Sequence, residues 1–178
     1  MKYLQKMRGG GQSPPRVGKP EIFWSWLGSL IGIGFITYLD AAIFQGYELI
    51  LLMGPAGASA VLVFGATRSP LAQPRNLVGG HVVSAIIGVL AGKLLGANLI
   101  IASSIAVSTS IALMHLTKTL HPPGGATALI AVIGGEKIKA MGFLYVIFPT
   151  AISSLILLVI AVLFNNLINS RKYPDHWI

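Results

Sequence analysis

The chain has 178 residues, of which 54% are hydrophobic and 10% are charged, whereas a soluble domain carries about a quarter charged residues. This composition excludes an ordinary soluble protein. The net charge of +8 does not indicate nucleic-acid binding, because the basic residues stand at the ends of apolar runs, where they orient membrane segments and meet anionic headgroups. The absence of cysteine from the sequence excludes thiol catalysis, disulfides and sulfur-ligated metals.

The apolar runs predict an all-α membrane protein with about six transmembrane segments in a single domain over residues 21–170. A basic cytoplasmic tail, residues 1–20, precedes this domain, and a short tail, residues 171–178, follows it. We expect no secretory signal, because the first apolar run is long and follows a polar stretch. The predicted segments cover residues 22–39, 49–66, 77–95, 99–116, 120–135 and 141–163.

The first and third segments carry glycines at helical spacing. Trp24 and Trp26 anchor the first segment at the membrane interface, and the glycines form small-residue faces that suit close helix packing. These two glycine faces are candidate contacts between subunits. The second segment is interrupted at residues 54–55, and the loop behind it carries Arg68 and Arg75.

The fourth and sixth segments flank a broken fifth segment. The fourth is rich in serine and threonine, which can hydrogen-bond between helices. Glu136, Lys137 and Lys139 are charged and predict a loop, and Pro149 predicts a kink in the sixth segment.

The fifth segment opens on residues 120–128, with the sequence LHPPGGATA. Neither proline can donate a backbone N–H, and Pro123 restricts the residue before it to extended geometry. This pattern predicts a break and then a short helix whose first turn is residues 123–125, with proline at a favourable position. The free N–H groups of that turn are open to a ligand, because the glycines place no side chain over them.

The same device occurs in the second segment. Residues 54–62 align without gaps on residues 122–130, with identical residues at 55/123, 57/125, 58/126 and 60/128, and Ser59 faces Thr127. Paired interruptions in the two halves of a membrane protein indicate a binding site at the interface of two repeats. The alternative is that both motifs are small-residue packing surfaces.

The charges predict the topology. If the N-terminus lies inside, all 13 Lys and Arg residues except Lys93, Lys137 and Lys139 lie on the inner side, as the positive-inside rule requires. The fold predicted is then two inverted three-segment repeats, in which the second segment of each repeat is a broken or re-entrant helix. The two half-helix N-termini meet near the bilayer midplane, and each carries about half a positive charge, which makes an anion site without lysine or arginine.

The candidate substrate-binding residues belong to the two half-helix starts and to two histidines. They are Pro55, Ala56, Gly57, Ala58, Ser59, His81, His121, Pro123, Gly124, Gly125, Ala126 and Thr127. His121 either binds a ligand or caps the proline turn, and His81 either faces the same cavity or pairs with a neighbouring carbonyl. Ser59 and Thr127 either bind an anion or bond back to the preceding turn. We expect no metal and no cofactor, because no carboxylate lies near His115 and His121 in the sequence.

Residues 120–126, LHPPGGA, resemble the signature of the HPP family of integral membrane proteins. Residues 54–60, GPAGASA, and residues 74–85, PRNxxGGHxxSA, are similar to other motifs of that family, so the resemblance covers roughly residues 20–170. The family is described as having about four transmembrane helices and occurs in bacteria, cyanobacteria and plant chloroplasts. Because members in photosynthetic organisms are implicated in nitrite transport, the resemblance implies nitrite as substrate and a bacterial inner membrane or a chloroplast envelope as location.

The residues themselves predict a transporter or channel for a small monovalent anion. One alternative is a non-catalytic subunit that scaffolds another membrane complex, which the small-residue faces suit. A second is an intramembrane enzyme, but the segments hold no acid except Asp40 and Glu48 near their ends, and we expect no catalysis. We also expect contact with lipid, no nucleic acid, and a homo-oligomer, because a chain of 18.8 kDa has little interior to shield a polar pathway.

Overall fold

The computed structural model describes residues 2–44 and 54–178, and in these ranges it contains helices and no strand. The helices are α1 (Lys2–Lys6), α2 (Lys19–Phe44), α3 (Gly54–Gly65), α4 (Pro74–Leu95), α5 (Leu99–Leu116), α6 (Pro122–Ile133), α7 (Glu136–Met141) and α8 (Ile152–Asn166). A 3-10 turn, Pro70–Ala72, precedes α4, and a π-helical turn, Val146–Ala151, leads into α8. Glu48 and residues 49–53 of the predicted second segment lie outside the described residues.

Four of the described helical stretches are long and apolar enough to cross a membrane. They are Lys19–Ile43, Pro74–Leu95, Leu99–Leu116 and Val146–Asn166. The interrupted segments form the two shorter apolar helices α3 and α6, of 12 residues each, which span about 18 Å and cannot cross the bilayer core alone. The all-α membrane protein is therefore confirmed, with four long apolar helices and two shorter ones among the described residues.

Local differences from the predicted bounds arise at turns. The half-helix α6 begins at Pro122, one residue earlier than expected. A proline fits at either of the first two helical positions, because a backbone N–H there would have no partner within the helix. Residues 136–139 belong to the short helix α7 rather than to a loop. The kink at Pro149 is confirmed, because Phe148 has φ −127° and ψ 124°, outside the helical region.

Close contacts show that α4 and α6 run in the same direction. Gly80 lies against His121, and Gly88, two turns further along α4, lies against Ala128. By contrast, α3 runs against α4. Ser59 contacts His81, whereas the end of α3 shares a hydrophobic cluster with Leu77 at the start of α4. The two half-helices α3 and α6 are therefore antiparallel.

The outer helices, α2 and α8, also run in opposite directions. Trp24 at the start of α2 packs against Phe164 at the end of α8, and Gly32 lies near Leu157 one turn into α8, so α2 and α8 are antiparallel. The amide of Asn165 donates to the carbonyl of Val63, which places the ends of α8 and α3 together. Consecutive apolar helices thus run in alternating directions.

The glycine faces predicted as subunit contacts are occupied within the chain. A Cβ atom added at Gly28 or Gly32 would lie less than 3.0 Å from the Phe64 ring, and one at Gly88 would meet the backbone of Ala128. These glycines therefore let α2 approach α3 and let α4 approach α6. Large apolar side chains outside these contacts remain exposed, as expected of a surface that faces lipid.

Candidate functional site

Two imidazoles and two hydroxyls meet inside the helix bundle. Ser59 Oγ lies 2.8 Å from His81 Nε2 and 2.9 Å from His121 Nε2. His81 Nδ1 lies 2.7 Å from Thr127 Oγ1, and the centroids of the two imidazole rings are 4.9 Å apart. All four side chains are buried. We call these four residues the histidine cluster, and it joins both half-helices to α4.

The two hydroxyls of the cluster occupy aligned positions and make matching bonds. Ser59 Oγ lies 2.9 Å from the carbonyl oxygen of Pro55, and Thr127 Oγ1 lies 3.4 Å from that of Pro123. Both also contact His81. Each hydroxyl thus bonds back to the preceding turn, as one of the two alternatives predicted, and also contacts the imidazole of His81.

His121 is fixed by the loop that precedes α4. Its Nδ1 donates to the carbonyl oxygen of Leu71 at 2.8 Å, in the 3-10 turn. That turn is held by the amide of Gln73, which donates to the carbonyl of Thr67 at 3.0 Å. Although His121 occupies the N-cap position of α6, its side chain makes no capping hydrogen bond, so the interpretation as a helix cap is wrong.

The C-terminal tail packs beneath the same turn. The phenol of Tyr173 donates to the carbonyl of Ala72 at 2.6 Å, and the backbone N–H of Asp175 donates to the side chain of Gln73 at 2.9 Å. Burial raises the pKa of the Tyr173 phenol, so it stays protonated and remains a donor at neutral pH. The tail therefore supports the turn that holds His121.

Two glycines permit the close approach of α4 and α6 beside the cluster. A Cβ atom on Gly80 would lie 2.5 Å from the Cβ of His121, and one on Gly124 would lie 2.7 Å from Ser84 Oγ. Only a residue without a side chain fits at either contact. Gly80 therefore leaves the space that the side chain of His121 occupies, and the two prolines that follow His121 restrict its backbone.

A small cavity adjoins the cluster. It is lined by Pro55, Ala56, Ser59, His81, Thr127, Thr150, Ser153, Ser154 and Leu157. It leaves about 10 Å³ for the centre of a water molecule, which is room for one water. The three hydroxyls at 150, 153 and 154 were not among the predicted residues. The available signal was that Ser153 and Ser154 follow Thr150 by three and four residues, which is the spacing of one helical face.

One of these hydroxyls is not satisfied within the described part of the chain. Thr150 Oγ1 is buried and makes no hydrogen bond of good geometry there, although it approaches the phenol of Tyr145. That phenol donates at 3.0 Å to the carbonyl of Thr127. Because a buried hydroxyl without a partner costs free energy, Thr150 is available to a ligand in the cavity.

Several predicted residues lie away from the cavity. Gly57, Ala58 and Ala126 are exposed, and Gly125 faces Val107 of α5 at ordinary contact distance. The first turns of α3 and α6 lie side by side. Ser59, just past the first turn of α3, contacts His121 at the start of α6. The structure therefore brings together the inward-facing half of the predicted set. Whether those residues bind an anion stays a prediction.

Comparison with known proteins identifies the family. The family described as "HPP, transmembrane region" matches residues 14–174. This chain belongs to the HPP family. Two transmembrane proteins of Dictyostelium discoideum are similar to it, one 47% identical over 99% of this chain and 58% of its own length, the other 41% identical over 99% and 64%.

The lengths and names of the relatives limit what can be concluded from family membership. The HPP chain spans about three fifths of the length of these curated relatives, whose names state only that they are transmembrane proteins. No solved structure matches the chain. Together, the family and the four long apolar helices establish an integral membrane protein.

Proposed function

We propose that the protein is a transporter or channel, and not an enzyme, for a small monovalent anion, with nitrite as the substrate. The anion binds in the cavity beside the histidine cluster. The observation that carries this proposal is the buried hydroxyl of Thr150, which makes no hydrogen bond of good geometry among the described residues and lines the same cavity as the start of α3 and Thr127 of α6.

The chemistry of the cavity favours an anion. Its lining includes Pro55 and Ala56 in the first turn of α3, where the positive end of the helix dipole attracts negative charge. The remaining polar groups of the lining are hydroxyls and His81, and the described residues contribute no carboxylate to it. Hydroxyls and backbone N–H groups can stabilise one charge. The second charge of a sulfate would be left without a matching group.

The cavity is small in this conformation. Room for one water does not accommodate nitrite, so transport requires the π-helical turn before α8 to move away from α3 and α6. Thr150, Ser153 and Ser154 would move with that turn, which already departs from helical geometry at Phe148. We therefore propose that the kink is the hinge of the transport cycle.

We further propose that a second, larger pocket collects anions on the side predicted as outer. It has a volume of about 310 Å³ and lies between α4, α6 and α7. Lys93 and Lys139 line it. Two ammonium groups at the mouth of a pocket raise the local concentration of anions.

The proposed architecture is two inverted repeats, α2–α4 and α5–α8. The alternating helix directions support it, as do the matching bonds of Ser59 and Thr127 to the carbonyls of aligned prolines. We further propose a homo-oligomer, since α3 and α6 are too short to seal a pathway from lipid. The proposed location is a bacterial inner membrane or, for a plant protein, the chloroplast envelope.

Purified protein in liposomes tests the proposal. Nitrite should enter faster than into protein-free vesicles without any added subunit. Nitrate or formate should compete, because each is small, nearly planar and singly charged, and sulfate should compete little. If nitrite enters no faster than into protein-free vesicles, the protein is instead a subunit that scaffolds another complex; equal competition by sulfate would contradict the site.

A further inference from the structure

The histidine cluster has one more short hydrogen-bond contact than its neutral side chains have hydrogens. Five contacts of 2.9 Å or less need a hydrogen: Thr127–His81, His81–Ser59, Ser59–His121, Ser59–Pro55 carbonyl and His121–Leu71 carbonyl. Neutral side chains supply four hydrogens, one from each hydroxyl and one from each imidazole. One contact is therefore left without a hydrogen.

A carbonyl only accepts, so in the neutral cluster the hydrogen of His121 is on Nδ1 and points to Leu71. The Ser59 hydroxyl donates to the carbonyl of Pro55, and its oxygen accepts from His81 Nε2–H. His81 Nδ1 accepts from Thr127. The contact of Ser59 with His121 Nε2 then lacks a hydrogen, because both atoms are left as acceptors.

One added proton completes all five contacts. When His121 Nε2 takes up a proton, it donates to Ser59, whose hydroxyl donates to the carbonyl of Pro55 at 2.9 Å. The hydroxyl also links the two rings. When the added proton is instead on His81, so that both of its ring nitrogens carry hydrogen, His81 Nε2–H breaks as a new O–H bond forms on Ser59. The former Ser59 O–H breaks as His121 Nε2–H forms, and His81 is left neutral with its hydrogen on Nδ1.

We propose that His81, Ser59 and His121 hold one exchangeable proton that crosses the membrane together with the anion. This inference rests on the proposed function and names its coupling ion. The positive charge would lie beside the cavity, where a bound anion stabilises it, and neither charge would need to cross alone. The ring of His81 borders the cavity, and that of His121 contacts the loop before α4, so the relay connects the two.

The surrounding elements provide no competing charge in contact with the two rings. Among the described residues, the contacts of the rings are with α3, α6, the 3-10 turn and each other. Tyr145 is a titratable residue that reaches the cluster indirectly. Its phenol donates to the carbonyl of Thr127, whose hydroxyl contacts His81. Arg75 donates to the carbonyl of Thr117, and Asp40 is buried on α2, which packs on α3 and α8.

Wild-type protein in liposomes with an entrapped pH dye tests the inference. The membrane potential is clamped with potassium and valinomycin, and protein-free vesicles report the background from nitrous acid that crosses the lipid. We expect about one proton to enter with each nitrite, at a rate that does not change with the clamped potential. Nitrite entry that follows the potential without protons would overturn the inference and leave the proposed function standing. No nitrite entry would overturn both.

A matched pair of serine variants assigns the proton to the cluster. Ser59→Ala removes the bridge between the rings, and Ser84→Ala removes a buried hydroxyl of α4 that donates to the sulfur of Met114. We expect the number of protons per nitrite to fall about tenfold in the first variant and to remain about one in the second. A ratio of one in Ser59→Ala would overturn the assignment.

A measurement on the wild-type protein covers the case in which Ser59→Ala does not fold. Nitrite is added to purified protein in weakly buffered detergent solution with an indicator dye. Binding should take up about one proton per protein, whereas nitrite binding without proton uptake would contradict the shared proton.

Discussion

Thr127 connects both parts of the proposed site, because its hydroxyl contacts His81 at 2.7 Å while its carbonyl accepts from Tyr145. Thr127→Ala should leave His81 Nδ1 without its donor at a cost of about 1 kcal/mol, which lowers kcat/KM for nitrite about fivefold. Rates of nitrite entry into liposomes measure this, and Thr127→Ser should retain the wild-type rate. A loss of hundredfold in Thr127→Ala, or an equal loss in Thr127→Ser, would contradict the role of the hydroxyl.

The sequence predicted the cluster residues but not their bonding. Ser59 and Thr127 stood out because the two motifs align, and His121 because it precedes two prolines. The carbonyl that orients His121 belongs to Leu71, fifty residues earlier, and no side-chain pattern marks a carbonyl. Thr150 likewise reaches the cavity only through the tertiary packing of the kinked turn on α4 and α8.

The interface of α4 and α6 requires a glycine at position 88. A Cβ atom at Gly88 would lie 2.5 Å from the carbonyl oxygen of Ala128 and 2.8 Å from its Cα. Backbone atoms cannot turn aside as a flexible side chain can, so Gly88→Ala should separate the two helices. We expect a loss of about 1–3 kcal/mol in stability, seen as a lower midpoint of thermal unfolding in detergent.

Gly34 provides the matched control for this substitution. It lies within α2, and a Cβ atom there would meet nothing within 4 Å. Gly34→Ala should therefore leave the unfolding midpoint unchanged or raise it, because alanine favours a helix over glycine by up to about 1 kcal/mol. Equal midpoints for the two variants would show that the contact at Gly88 does not limit the packing of α4 on α6.

The elements themselves were largely readable from the sequence. The fourth segment has the predicted bounds, because apolar composition and its flanking turns define both of its ends. Both half-helices were predicted from their Pro and Gly breaks. Their placement was not, since whether two N-terminal turns face each other or lie side by side depends on how α3 packs on α4 and α6.

The two ends of the membrane domain meet on one face of the molecule. Arg171, behind α8, donates at 2.7 Å to the carboxylate of Glu21 at the start of α2, and also to the carbonyl of Phe64. Arg171, one of the basic residues counted on the inner side, is thus 8% exposed and binds both ends of the bundle. An even number of crossings is required to bring the start of α2 and the end of α8 to the same side.

This geometry predicts where two exposed residues lie relative to the membrane. Glu136 follows α6 and Ser170 follows α8, and because these helices run in opposite directions, the two residues should lie on opposite sides. The natural chain has no cysteine, so Glu136→Cys and Ser170→Cys each introduce a single thiol. An impermeant maleimide added outside intact cells should label the thiol at 136 and should label the thiol at 170 only after permeabilisation.

Gln12→Cys is the control, because the N-terminal tail should share the side of Ser170 if the Glu21–Arg171 contact forms across one membrane face. Labelling of 136 and 170 from the same side would mean that α6 or the kinked last helix re-enters rather than crosses. The half-helices would then open to a single side, and the inverted repeat would be excluded. Opposite labelling, with 12 and 170 together, places the histidine cluster between the two aqueous phases, where a site that exchanges an anion and a proton must lie.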